Sequence, residues 1–525
     1  MSNTSLTSQG GSLGNYELLI VFISLFVIFI ALGFWSSRFR KGNMSDLGEW
    51  ALAGRRLGFY LSWFLVGADL YTAYTFIAIP EMVFEKGAIF FYAVPYVGIA
   101  FGVAMITMPR LWKIAKGKNY VTAVDMVSDK FDSKFLGMLI AFTGIVAELP
   151  YIALQIYGMQ AVLTVMIGQF NVTDTTTLTE LALVIAFLIL AAFTYTSGLR
   201  GAVTTAVMKD VLIFISVIVV IVVVPMEVGG FSTAFASIPA KNSFGGVAGG
   251  YPTLASLLLN GFVSLSIMSA LALYLYPHAI NGILSSNSTK KIRMSTALLP
   301  VYGIGLALLA LFGILIYASP PALGMAGKYG AVTVVPSLIY AELPPWFAGL
   351  AFLAIFIGGL VPASIMAISQ ANLLTRNVVK VVKPNLKPET ETRLSKWFSV
   401  MFKFIALGFI FLISPTYSLE LQLVGGIIIL QTLPSIFIGM YSGVFKKWAV
   451  GLGWFAGMVT GISMIYYANF VVLKASSLVT SLFTFSAPFG FLYIGLIALV
   501  VNIVVAIVIT FVMRLIEGKG KASTA

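Results

Sequence analysis

The sequence contains a succession of apolar runs in which charged residues are rare. A helix needs about 20 largely apolar residues to cross roughly 30 Å of hydrocarbon, and runs of this length recur along the whole chain. Because 59% of the 525 residues are hydrophobic and only 10% are charged, a water-soluble globule of this size could not cover its surface. The sequence therefore predicts an all-α, polytopic membrane protein.

We expect thirteen transmembrane spans, which are numbered one to thirteen in chain order. The first run is too long, and is followed by too many basic residues, to be a cleaved signal peptide. The predicted ranges are 16–35, 57–80, 88–108, 135–167, 177–196, 200–225, 254–280, 296–318, 346–375, 396–414, 418–443, 448–470 and 487–513.

Spans two to six and spans seven to eleven occupy stretches of similar length, residues 57–225 and 254–443. Two five-helix halves of opposite membrane orientation would fit this division, and such inverted repeats are common in transporters. We therefore expect one transport core over residues 57–443. Residues 1–56 would supply a tail, a first helix and an inner loop, and residues 444–525 two additional helices and a cytoplasmic tail.

The net charge of +13 is concentrated in alternate loops. If the N-terminus lies outside, the outer loops carry only Lys86, Lys241, Lys328 and Lys474, and nearly all other basic residues face the cytoplasm. The positive-inside rule then predicts a plasma-membrane protein with its N-terminus outside and its C-terminus in the cytoplasm. We interpret the basic excess as a topology signal with anionic lipid headgroups as neighbours, and not as a nucleic-acid surface.

Three other classes of function fit the composition less well than a transporter. A membrane enzyme would need acid-base groups or metal ligands that converge at one depth. Cysteine is absent and histidine occurs once, so the chain has no disulfide, no thiol metal site and no recognisable catalytic cluster. A channel would need a continuous polar pore, whereas the polar residues are few and concentrated in mid-span. A substrate sensor without net flux is the third alternative.

Span two contains the sequence GADLYTAYTFIAIP, in which Gly67 lies near Asp69. Thr72 and Thr75 follow, one helical turn apart. A carboxylate in a membrane span costs about 2.5–3.5 kcal/mol on insertion scales. We therefore expect Asp69 either to line a solvated or ligand-binding position, or to accept backbone amides at a helix break.

Span nine contains Gly358, Gly359 and Pro362 in mid-helix, with Ser364 close by. Proline lacks the backbone N–H, so Pro362 is expected to interrupt the helix and to free the carbonyl near Gly358. A freed carbonyl is a hard oxygen ligand that suits sodium. The alternative is an ordinary kinked packing helix.

Two further spans carry isolated polar residues. Glu148 and Gln155 are seven residues apart in span four, so they share a helix face that is expected to point into the bundle. His278 lies near the inner end of span seven, where it would serve in proton transfer, or be a capped or an interfacial residue.

Six stretches of the chain, taken in order, resemble the sodium:solute symporter family, and more closely its monocarboxylate permease-like branch. The resemblance covers about residues 50–450. It implies a ten-helix inverted-repeat core of the LeuT type, with its first and sixth helices interrupted, one helix before it and two after it. It also implies alternating access. The six stretches are AGRRLG, GADLYTAYTFIAIP, SGLRGAVTTAVMKD, YPHAINGILSSNSTKKIR, LPPWFAG and VPASIMAISQANLLTRN.

The resemblance further implies one cation between core helices one and eight, with sodium as the coupling ion. On this chain its ligands would be backbone oxygens near Ala68, Tyr71, Gly358 and Val361. Many members complete this site with two adjacent hydroxyl residues, whereas this chain has Val361 and Pro362 there. This departure argues for a proton instead of sodium, although Ser364 offers a neighbouring hydroxyl.

Lys209 and Asp210 lie near the start of the apolar run of span six. Family members commonly carry a Thr-Asp pair at the places of Ala206 and Val207, so Asp210 would replace that acid and help to hold a cation. Alternatively, the Lys209 ammonium stands in for sodium and exchanges a proton, or both residues are structural partners of other helices or of a wet inner vestibule. Their mutual pairing is expected to be awkward, because neighbours on a helix point about 100° apart.

We expect a secondary transporter of a small monocarboxylate such as pyruvate, lactate or acetate, with an amino acid or another small solute as the alternative. No cofactor besides the coupling ion is expected. The carboxylate would lie at the broken helix Gly67–Thr72, whose exposed amides favour an anion. Thr72, Thr75 and Gln155 would supply hydrogen bonds, and Tyr71 and Tyr74 would close around the apolar part. With Asp69, these are the predicted substrate-binding residues.

Overall fold

The computed structural model describes residues 12–36, 43–170, 172–239, 253–412, 417–486 and 488–522. Ten helical stretches of this described part are long and apolar enough to cross a membrane. The one sheet within the same ranges is an antiparallel hairpin that pairs Leu482–Thr484 with Phe491–Tyr493. The predicted all-α membrane fold is therefore confirmed. Residues 1–11 of the predicted N-terminal tail and the inner-loop cations Arg38, Arg40 and Lys41 lie outside the described residues, as does Lys241.

Each predicted span falls on helical residues, but the bounds differ. Spans one, three and four contain the α-helices Ser12–Trp35, Ala93–Gly117 and Lys134–Ile167, and spans five and six share Thr175–Glu227. Span two is divided into Phe59–Gly67 and Ile79–Lys86, span seven into Leu259–Leu273 and Pro277–Leu284, and span eight into Thr289–Leu298, Val301–Ala310 and Phe312–Leu315. Spans nine to thirteen contain Pro345–Leu374, Pro388–Leu412, Ser418–Leu430, Lys447–Tyr466 and Ile494–Ala522. Shorter helices between spans are Leu47–Leu52, Ala123–Lys130, Gly230–Ala236, Pro320–Tyr329 and Val334–Glu342. Four π-helical turns are Tyr74–Ala78, Thr375–Val379, Pro434–Ile438 and Tyr467–Val472.

Spans five and six lie in one helical stretch of 53 residues, Thr175–Glu227, which is kinked where the backbone becomes non-helical at Gly198. Gly198 has φ 56° and ψ −146°, a backbone conformation that a residue with a Cβ rarely adopts. A Cβ at this position would lie 2.5 Å from the Trp50 carbonyl oxygen and 2.6 Å from its indole ring. Glycine is therefore needed here both for the turn and for the close contact with the helix Leu47–Leu52.

Span nine is an uninterrupted helix, Pro345–Leu374, that continues through Pro362. The prediction that Pro362 breaks it is wrong. This helix is buried along its apolar length and packs against spans one, four, five to six and ten. Neighbours on all sides can hold a helix straight when a single backbone hydrogen bond is missing.

Spans two and seven, the first and sixth helices of the core that the resemblance implies, are both interrupted. Span seven is interrupted between Leu273 and Pro277. The start of span two and the end of span seven are joined by backbone hydrogen bonds: Leu57 N donates to Ser285 O at 3.2 Å, and Asn287 N donates to Leu57 O at 3.0 Å. The two interruptions therefore lie in neighbouring elements. The inverted-repeat boundaries and the number of crossings stay predictions.

Replacing Gly198 by alanine is expected to destabilise the chain by about 1–3 kcal/mol, because the residue would be strained at positive φ and would overlap Trp50. The unfolding temperature of the purified protein in detergent measures the effect. Gly408→Ala in span ten is the matched control, since an added Cβ there meets no atom within 4 Å. Equal unfolding temperatures for the two variants would contradict this explanation.

Candidate functional site

The break in span two lies between Gly67 and Tyr74, where the backbone leaves the regular α-helical hydrogen-bond pattern. Thr72 N donates to Leu70 O at 3.1 Å, instead of to Ala68 O four residues back. Ala73 N donates to Gln155 Oε1 at 3.2 Å, and Tyr74 N donates to Thr72 Oγ1 at 3.1 Å. The Ala68 carbonyl therefore loses its helical donor in the middle of the bundle.

Small residues allow two other spans to reach the break. A Cβ on Gly67 would overlap the hydroxyl of Tyr302 in span eight. A Cβ on Gly158 in span four would overlap Ala73. Spans four and eight thus hold the irregular segment on two sides, and no part of it has to face lipid.

The predicted hydrogen-bonding residues of the substrate site all contact this segment. Thr75 Oγ1 donates to Leu70 O at 2.5 Å, while Gln155 and Thr72 accept backbone amides as described above. Tyr74 Oη donates to Tyr92 Oη at 3.1 Å. These side chains stabilise the break in this structure, and their contact with substrate stays a prediction.

Lys209 supplies the donor that the Ala68 carbonyl lacks. Its Nζ donates to Ala68 O at 2.5 Å and lies 3.2 Å from Asp210 Oδ1. Both side chains are fully buried, which excludes the wet vestibule. The two residues form an ion pair, but Asp210 Oδ1 makes no hydrogen bond within the described residues, so the pairing lacks hydrogen-bond geometry. The lysine chain is long enough for its ammonium to reach both oxygens, although the two Cβ atoms point apart.

Asp210 is held in turn by an aromatic neighbour that sequence reasoning missed. Tyr302 Oη donates to Asp210 Oδ2 at 3.0 Å. The Tyr302 ring centroid lies 4.6 Å from that of Tyr71 and 5.4 Å from that of Trp63. Asp210 is therefore bound between an ammonium and a phenol beside the break. An isolated tyrosine in an apolar span gave no signal of this role.

The predicted cation ligands are only partly brought together. Gly358 adjoins Tyr71, since a Cβ on Gly358 would lie 3.7 Å from the Tyr71 carbonyl oxygen. Ala68 O already accepts from Lys209. Ser364 Oγ lies 2.9 Å from Thr194 Oγ1 in span five, so its hydroxyl is engaged there. Val361 is buried in the same helix. A sodium site at these residues stays a prediction.

A second buried cluster joins spans two, four, seven and nine. His278 Nε2 lies 3.0 Å from Asp69 Oδ2, and its Nδ1 lies 2.5 Å from Glu148 Oε1. Ser369 Oγ lies 3.0 Å from each oxygen of Glu148. His278 is 1% exposed, so its interpretation as an interfacial residue is wrong. Among the residues that the structure describes, no group of three or more His, Asp or Glu side chains is arranged to hold a metal ion.

The sequence carried a signal for this cluster without showing that its parts meet. Asp69 and Glu148 are carboxylates within apolar spans, and His278 is the single histidine of the chain. The break before Pro277 brings His278 into the bundle, where its backbone N also donates to Glu148 Oε1 at 3.2 Å. Asp69 therefore pairs with a side chain, and not with the backbone amides of its own break.

Comparison with known proteins agrees with this architecture. Residues 50–461 match the model of the sodium:solute symporter family. The chain belongs to the sodium:solute symporter family. It is accordingly a multi-pass membrane transporter and not an enzyme.

Two relatives align over most of their length with this symporter. A monocarboxylate transport permease protein of Rhizobium johnstonii is 40% identical over 497 residues, covering 94% of this chain and 96% of the relative. The sodium/pantothenate symporter of Escherichia coli is 22% identical over 473 residues, covering 85% of this chain and 89% of the relative. The resemblance to the monocarboxylate permease-like branch is thereby confirmed.

The fold has a match among solved structures. A Na+-coupled sialic acid symporter in a substrate-bound outward-open state superposes with a TM-score of 0.71 and 15% sequence identity. The match covers 94% of this symporter and 97% of that chain. At this identity the likeness supports the fold and nothing about the substrate.

Lys209→Met is expected to destabilise the symporter by about 3–5 kcal/mol, because it leaves Asp210 as a buried, unpaired charge. Adding Asp210→Asn should restore most of this loss, since the amide is neutral and still accepts from Tyr302. Unfolding temperatures of both single variants and the double variant in detergent measure the coupling between the residues. Losses that simply add in the double variant would contradict the pairing.

Proposed function

We propose that this symporter imports a small monocarboxylate, such as pyruvate, lactate or acetate, together with a cation by alternating access. The observation that carries the proposal is the break in span two. It lies beside the interrupted span seven; side chains from spans four and six hydrogen-bond to its backbone, and Tyr302 of span eight packs against Gly67. Backbone that is irregular at membrane depth is characteristic of a transporter substrate site.

The substrate carboxylate would lie at the start of the second helical half, near Ala73 and Tyr74. The positive end of the helix dipole favours an anion there. Gln155 has a donor to offer, since its Nε2 makes only a long bond of 3.4 Å to Tyr151 O. The 40% identity to a protein named as a monocarboxylate permease supports this substrate class.

Two coupling ions have support. The family and the sodium/pantothenate relative favour sodium. Lys209 favours a proton, because its ammonium lies at Ala68 O, where a sodium ion was expected. The positive-inside pattern supports a plasma-membrane location with the N-terminus outside and the C-terminus in the cytoplasm.

In proteoliposomes, labelled pyruvate, lactate or acetate should accumulate only when an inward gradient of sodium or of protons is imposed. Uptake is measured with each gradient alone, and protein-free liposomes give the passive background. Saturable accumulation is expected because an alternating-access site binds one substrate per cycle. Conductance that persists without any ion gradient would identify a channel and refute the proposal.

Thr72→Val is expected to raise the substrate concentration for half-maximal uptake about tenfold. The change removes one hydrogen bond at the break, worth about 0.5–1.5 kcal/mol. Thr205→Val is the control, since that buried hydroxyl donates only to carbonyls of its own helix, Gly201 O and Ala202 O. Initial uptake rates over a range of substrate concentrations measure this change. Unchanged kinetics in Thr72→Val would show that Thr72 is not part of the substrate site.

A further inference from the structure

We propose that Asp69, His278, Glu148 and Ser369 form a proton-binding chain, and that a proton bound there is transported together with the carboxylate substrate. This inference rests on the proposed function, because it names the coupling ion of the same transport site. The four side chains come from spans two, seven, four and nine, and each is at most 7% exposed.

The contacts of His278 limit the arrangements of protons in the chain. Each ring nitrogen lies near a carboxylate oxygen: Nδ1 is 2.5 Å from Glu148 Oε1, and Nε2 is 3.0 Å from Asp69 Oδ2, the second contact without hydrogen-bond geometry. A neutral imidazole can donate from only one nitrogen. The chain therefore contains either an imidazolium between two carboxylates, or a neutral imidazole with one protonated carboxyl group. Both arrangements have a net charge of −1.

One more proton has a place at either end of the chain. Ser369 Oγ lies 2.7 Å from Met366 O as well as 3.0 Å from both oxygens of Glu148. A hydroxyl donates a single proton, so Ser369 either donates to an ionised Glu148, or donates to Met366 O and accepts from a protonated Glu148. At the other end, Asp69 Oδ1 is buried and makes no hydrogen bond within the described residues. The added proton neutralises the chain.

The surrounding groups do not offset the negative charge. Lys209 is electrostatically coupled to Asp69, but it is already paired with Asp210, so the pair adds no net charge. The rings of Tyr151 and Tyr276 lie 5.4 and 5.5 Å from His278. The phenol of Tyr96 interacts electrostatically with Asp69. Tyrosine side chains are neutral at physiological pH. The chain therefore keeps its negative charge until it binds a proton.

The charge of the chain couples proton binding to substrate binding. A carboxylate at the break of span two adds a second negative charge close to Asp69, and the two repel each other in a site of low dielectric constant. Protonation of the chain removes this repulsion. By linkage, each ligand then raises the affinity for the other. No covalent bond changes: a proton from water binds to a carboxylate oxygen and later returns to water.

A small cavity with a mostly apolar lining borders the Ser369 end of the chain. The cavity has a volume of about 30 Å³ and is bordered by Ser369, Asn281 and Asn372. It also adjoins Thr122, which caps the helix Ala123–Lys130 of a basic loop. Neither polar side-chain atom of Asn372 has a hydrogen-bond partner within the described residues, although both are buried. The cavity has roughly the size for two water molecules, and Ser369, Asn281 and Asn372 are polar side chains that such waters would contact. Waters held there would offer a proton a path between Glu148 and the basic-loop side.

The test compares wild type with Glu148→Gln, which keeps the shape and one acceptor oxygen of the side chain. Labelled pyruvate is offered to proteoliposomes under an inward proton gradient, and separately in counterflow without any gradient, with protein-free liposomes as background. We expect Glu148→Gln to lose at least tenfold of the gradient-driven accumulation while counterflow stays within twofold. Glu81→Gln is the matched control, because Glu81 is a fully buried carboxylate of span two outside the chain. It should keep both activities.

A second measurement, of binding alone, applies even if Glu148→Gln binds substrate but cannot complete the transport cycle. Calorimetry of pyruvate binding in buffers of different ionisation enthalpy counts the protons bound with the substrate. About one is expected for wild type and none for Glu148→Gln. Full proton-driven accumulation, or unchanged proton binding, in Glu148→Gln would overturn the inference. Wild-type accumulation under sodium alone, without proton binding, would overturn it and leave the symport function intact. Absence of both uptake and counterflow in wild type would instead refute the proposed function.

Discussion

The structure depends on the interrupted backbone of span two, because lipid offers no partner for unpaired amides and carbonyls. Three of the displaced groups find partners inside the protein. Gln155 accepts from Ala73 N, Thr72 accepts from Tyr74 N, and Lys209 donates to Ala68 O. These partners come from three different spans. The break therefore determines which polar residues the neighbouring helices must carry and how closely those helices approach.

The same requirement applies to the buried charges that lie beside the break. A single charge in the bundle interior is costly, whereas a paired and hydrogen-bonded charge is tolerated. Lys209 and Asp210 form one group with Tyr302, and Asp69, His278 and Glu148 form another with Ser369. The residues bordering the break take part in both groups, since Ala68 contacts Lys209 and Asp69 contacts His278. A movement of this segment would change both sets of contacts at once.

Sequence reasoning located the helices and the break, because apolar length and a glycine beside a carboxylate are local signals. It failed where the outcome depends on neighbours. Pro362 was expected to break span nine, but packing on all sides keeps Pro345–Leu374 helical. Helix geometry alone did not show that the Lys209 side chain reaches a carbonyl of another span as well as Asp210. Tyr302 and Ser369 act only through residues distant in sequence, so no local pattern could identify them.

The unbroken span nine gives the site an asymmetry that two broken helices facing each other would lack. Its continuous backbone has few carbonyls to offer a cation, and Ser364 is engaged with Thr194. Its main polar contribution to the charged groups is Ser369, which contacts Glu148 and not the break. The Lys209 ammonium meets the Ala68 carbonyl, and the side chain of the next residue, Asp69, pairs with His278. This distribution favours a coupling ion that binds to side chains over one that needs a cage of backbone oxygens, since a proton needs only one oxygen and sodium several.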